Sequence, residues 1–102
     1  MTWRVRRGCM FRQEKFAIAA FRSRSSVQKF EMTLRHGRIP CQIIATPRDV
    51  AIGCGLSVSF EAGRLYDAIR EYKRTYPSNL IGFYIVERNG GRTSVSPVSL
   101  NN

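Results

Sequence analysis

The chain has few of the residues from which enzymes and metal sites are usually assembled. It contains one histidine, His36, and three cysteines, Cys9, Cys41 and Cys54, with no C-x-x-C spacing among them. A lone histidine supports no Ser-His-Asp or Cys-His arrangement. Three unpaired cysteines argue against a disulfide framework or a zinc site. Neither G-x-G-x-x-G nor G-x-x-x-x-G-K-[ST] occurs, so nucleotide cradling has no motif behind it. No apolar run approaches the roughly 20 residues needed to span a bilayer. The longest candidate near the start, Phe16 to Phe21, is shorter than the roughly 7–15 residues of a signal-peptide core. Reduced thiols in a cytoplasmic protein, with no metal and no cofactor-binding motif, are therefore expected.

Negative charge is also scarce: 17 Lys and Arg face 7 Asp and Glu, a net charge of +10 over 102 residues. Residues 1–15 carry Arg4, Arg6, Arg7, Arg12 and Lys15 against Glu14 alone. This stretch reads as a flexible basic arm that can attract nucleic acid or an acidic partner through nonspecific charge.

What the chain does have is a regular succession of periodic segments, enough for one domain over 16–88. Phe16–Phe21 is apolar on both faces, as in a central strand. Ser25-x-x-Gln28 reads as a capping box ahead of a helix over 26–36, with Val27, Phe30 and Leu34 on one stripe. Gly37 suits a left-handed helix end, and Pro40 prevents continuation. Cys41–Ala45 is a short strand that places Cys41 in the core. Leu56–Phe60 alternates, with Leu56, Val58 and Phe60 inward and Ser57 and Ser59 on a wetter face.

A second helix runs over about 62–76, with Leu65, Ala68, Ile69, Tyr72 and Tyr76 at helical spacing. Leu80–Val86 is the last strand, Asn89-Gly90-Gly91 a turn, and 89–102 a flexible tail. The order β-α-β-β-α-β predicts a ferredoxin-like two-layer α/β sandwich, with both helices on one face of a four-stranded sheet. RNA-recognition domains share that fold, but their third strand carries a Lys/Arg-Gly-aromatic signature that Leu56–Phe60 lacks.

Between the second and third strands lies Thr46-Pro47-Arg48-Asp49-Val50-Ala51-Ile52-Gly53-Cys54-Gly55, longer than the usual hairpin loop of two to five residues. Cys54 is its reactive candidate. Gly53 and Gly55 would shape the backbone tightly and leave the sulfur accessible, and Arg48 would stabilise a thiolate if the loop folds back on itself. The competing reading is a small buried thiol at the start of a strand, with Pro47 a turn residue and Arg48 a solvated charge.

The helix ending at Gly37 before Ile39-Pro40, Thr46-Pro47-Arg48 in the loop, and Cys54-Gly55 leading into a strand together resemble a small bacterial selenium/sulfur carrier-like family. The resemblance covers residues 16–86. It implies a carrier rather than a turnover enzyme, with a persulfide or perselenide held covalently on Cys54 and passed between donor and acceptor proteins. The alternative is a noncatalytic protein- or RNA-binding module of the same fold.

Overall fold

A computed structural model describes residues 14–48, 50 and 55–100 of the chain. The elements are β1 (Glu14–Phe21), α1 (Arg24–His36), β2 (Cys41–Ala45), β3 (Leu56–Glu61), a 3-10 turn (Ala62–Arg64), α2 (Leu65–Thr75), β4 (Leu80–Asn89) and β5 (Arg92–Val98). All neighbouring strands are antiparallel, in the order β2-β3-β1-β4-β5. Two helices packed against an antiparallel sheet make the fold broadly ferredoxin-like. The expected four-stranded sheet is corrected to five strands among the described residues. The stretch expected to be a tail contributes β5, which pairs with β4 from Asn89↔Arg92 to Phe83↔Val98.

That hairpin follows from local chemistry. Gly90 and Gly91 both have positive φ, 60° and 90°. Two such residues make the tight turn whose twist matches paired strands. Pro97, which cannot donate to a ladder, sits on an edge strand where no donor is needed.

β1 is the spine of the molecule. Hydrogen-bonded on both sides, it alternates between two interiors. Ala17, Ala19 and Phe21 face the helices and join Val27, Phe30 and Leu34 of α1, Leu65, Ala68 and Ile69 of α2, and Val58, Phe60 and Phe83 of the sheet. Phe30 is central there, with ring centroids 5.5 Å from Phe21, 6.0 Å from Phe83 and 6.5 Å from Tyr72. The small alanines of β1 let the helices approach, and the phenylalanines fill the remaining space. Ile18 and Ala20 face the other way, into a smaller cluster with Val86 and Val50.

Both helix ends differ in detail from expectation. The first helix is capped at Ser23, not Ser25: the Ser23 carbonyl accepts from the amides of Ser26 and Val27, while its hydroxyl pairs with that of Ser25 at 2.9 Å. At the far end Gly37 has φ −83°, and the left-handed residue is Arg38 at φ 63°. The amide of Ile39 donates to the Leu34 carbonyl and that of Arg38 to Arg35, the paired bonds of a Schellman ending. The left-handed position thus falls one residue after the glycine. Of the two tyrosines expected on the apolar stripe of the second helix, Tyr72 packs against the core, whereas Tyr76, just past the end of α2, is 73% exposed.

Candidate functional site

The loop between β2 and β3 leaves the sheet through a neck of two hydrogen bonds, with a third closing a turn just beyond it. The Thr46 amide donates to the Gly55 carbonyl at 2.9 Å, extending the β2–β3 ladder by one pair. The hydroxyls of Thr46 and Ser57 are 2.6 Å apart. The Val50 amide donates to the Pro47 carbonyl at 3.0 Å, closing a turn with Arg48 at its tip. Gly55 has φ 86°, a conformation open to glycine at little cost and strained for other residues.

Val50 gives the loop its direction. Only 7% exposed, it joins Ile18, Ala20 and Val86, so the chain at Val50 lies against the sheet face away from the helices. This overturns the expectation that Ser57 lies on a wet face: it is wholly buried and satisfied by Thr46. Ser59, one alternation further along, stays half-buried, its hydroxyl 3.4 Å from the Gln42 carbonyl.

Of the residues singled out by sequence, Arg48 is exposed with no ion-pair partner among the described residues, and Gly55 is exposed at the neck. Cys54 and Gly53 lie outside the described residues, as does the arm up to Gln13. Cys41 packs where its alternation put it, 8% exposed, with its sulfur 3.6 Å from the Glu31 carbonyl. Burial pushes its thiol pKa up, opposed by the Arg35 charge and reinforced by Glu31. A thiol whose thiolate is disfavoured is a poor nucleophile. Cys41 is therefore a core residue.

Thr46, Val50 and Ser57 are the contributors that sequence reasoning missed. A signal existed in the apolar run Val50-Ala51-Ile52 within an otherwise polar connection, which marks a loop that packs rather than hangs free. Among the described residues no helix is long and apolar enough to cross a membrane.

A two-layer domain with helices on one sheet face and a clasped, glycine-necked loop on the other is the class that the fold and site define. Within it, the chain belongs to the family described as "Putative Se/S carrier protein-like", whose model matches residues 16–79. The match runs from β1 through the loop and α2 and stops before β4. No curated protein and no solved structure matches the chain.

Proposed function

We propose that the protein carries sulfur or selenium as a persulfide or perselenide on Cys54, and hands it from a donor protein to an acceptor protein. The observation that carries this reading is membership of a carrier-like family whose match spans the whole loop. Chemical elimination among the cysteines supports it, since Cys41 is buried with a raised pKa. In the loading step the Cys54 thiolate attacks the outer sulfur of a donor persulfide. A new S–S bond forms on Cys54, the donor's S–S bond breaks, and the electron pair leaves as the donor thiolate. Unloading is the same exchange with an acceptor thiolate, so neither step needs an oxidant. Arg48 serves as electrostatic helper to the Cys54 thiolate. Gly53 and Gly55 shape the backbone around it, and the setting is the reducing cytoplasm.

Intact mass after incubation with a cysteine desulfurase and cysteine tests the proposal. One added sulfur is expected, lost in Cys54→Ser and retained in Cys41→Ala and Cys9→Ser. An unmodified chain whose Cys54 also resists alkylation in the folded state would exclude the carrier role.

A further inference from the structure

The two edges of the sheet are built differently. β5 carries Pro97, which has no N–H, and is largely polar. β2, Cys-Gln-Ile-Ile-Ala, has no proline, no charge and no bulge. Unprotected edges of this kind are templates for another strand.

The ladder shows which groups are on offer. Because the Thr46 amide bonds to Gly55, the hydrogen-bonded pairs are 46/55, 44/57 and 42/59. Cys41, Ile43 and Ala45 occupy the alternate pairs, so their N–H and C=O groups point away from β3. Arg35 occupies the Cys41 carbonyl at 3.1 Å. The Cys41 N–H and both groups of Ile43 and Ala45 have no partner among the described residues. Beside this edge, on the face away from the helices, an open groove of about 710 Å³ is lined by Gln42 and Ile44 of β2 together with Phe16, Ser59, Glu61 and Arg88. A strand laid along β2 would send alternate side chains over that groove.

Charge selects the occupant. Arg38 stands three residues before β2 and Arg48 three residues after it, both exposed and without ion-pair partners among the described residues. A second copy paired antiparallel about Ile43 would set Arg38 of one against Arg48 of the other, like charge on like, with +10 on each chain. RNA offers no alternating backbone donors and acceptors to match the edge. We propose that β2 is the docking edge for an extended segment of a partner protein, apolar at its centre beside Ile44 and acidic at both ends beside Arg38 and Arg48. The inference does not depend on Cys54.

The test uses the full chain and the peptide acetyl-Asp-Glu-Val-Ile-Val-Glu-Asp-amide, with a control whose acids are replaced by lysine. The acidic peptide should bind and slow hydrogen exchange of the Ile43 and Ala45 amides at least tenfold, leaving β5 amides unchanged; the lysine peptide should not. Ala45→Pro removes one outward N–H without touching the β2–β3 ladder and should weaken binding at least tenfold. Arg38→Glu with Arg48→Glu should do the same and transfer binding to the lysine peptide, an arm that stands even if the proline variant folds poorly. Cys54→Ser should bind as the natural chain does. No slowing at Ile43 and Ala45 under millimolar peptide, equal binding of both peptides, or a dimer that protects these amides without peptide would each overturn the proposal.

Discussion

The two faces of the sheet are made by the same strands and do different work. On the helix face, two amphipathic helices close over interlocked phenylalanines, and Ala17, Ala19, Phe21, Phe30 and Leu34 are inaccessible to water. On the other face no helix lies among the described residues. One end is covered by Val50 of the β2–β3 loop, and the other opens into the groove beside β2. Burying one face is enough for a small domain to fold. The second is thereby left to a loop and an open edge, where chemistry and partners can be served without disturbing the core.

Substitutions can break or sharpen that contrast. Phe30→Ala should be the most damaging, by about 3–5 kcal/mol in denaturant unfolding, because its ring meets three other aromatic rings in the core. On the loop face, Thr46→Val strands the buried Ser57 hydroxyl and should cost about 1–3 kcal/mol, with Thr46→Ser restoring most of it. Removing both hydroxyls, Thr46→Val with Ser57→Ala, should bring stability back toward the natural chain. Val50→Ala removes two methyl groups and should cost about 1–2 kcal/mol. Were Val50→Ala as damaging as Phe30→Ala, the two faces would be equivalent and the contrast would fail.

Smaller effects test the periphery. Arg38→Gly should stabilise by about 1 kcal/mol, since a left-handed backbone is strained for arginine and free for glycine. The smallest effects are those of pH. The Cys41 thiol is raised by burial, so its contribution is complete below the ordinary thiol pKa of about 8.5 and is lost as pH rises through the folded value. Cys41→Ala should flatten that alkaline limb of the stability profile. Asp67 is held below the usual carboxylate range, chiefly by its hydrogen bond from Arg64 at 2.9 Å. Its contribution is present above the ordinary value of about 3.9 and fades as pH falls through the folded one. Asp67→Asn should remove that acid-side dependence.

Much of the scaffold was legible. Val27, Phe30 and Leu34 announced α1, strict alternation announced β3, and the apolar run of β1 announced a strand covered on both faces, as it is. β5 was not legible, because an edge strand with little to bury needs only a few apolar residues. Its serines and proline read as tail even though the Gly90-Gly91 turn marked a hairpin. The Ser25 capping box placed the cap two residues late, since a cap is the last extended residue before the backbone turns helical, and that residue is Ser23, with Arg24 the first in the helix. At the loop, Thr46 and Ser57 read as ordinary polar residues, because a hydrogen bond between residues on two strands leaves no local pattern.

The amino-acid order alone determined the helices and the first four strands, the apolar stripe of each helix, the excess of positive charge, and where an overlong cysteine-bearing loop interrupts the pattern. These are consequences of periodicity and composition, which act over a few neighbouring residues. The tertiary structure decided that the chain at Val50 lies against the sheet, that Ser57 is buried rather than wet, that a fifth strand extends the sheet, and that β2 keeps an open edge between Arg38 and Arg48. Each depends on contacts or pairings between segments brought together only when the chain is closed, so neither spacing nor propensity could express them.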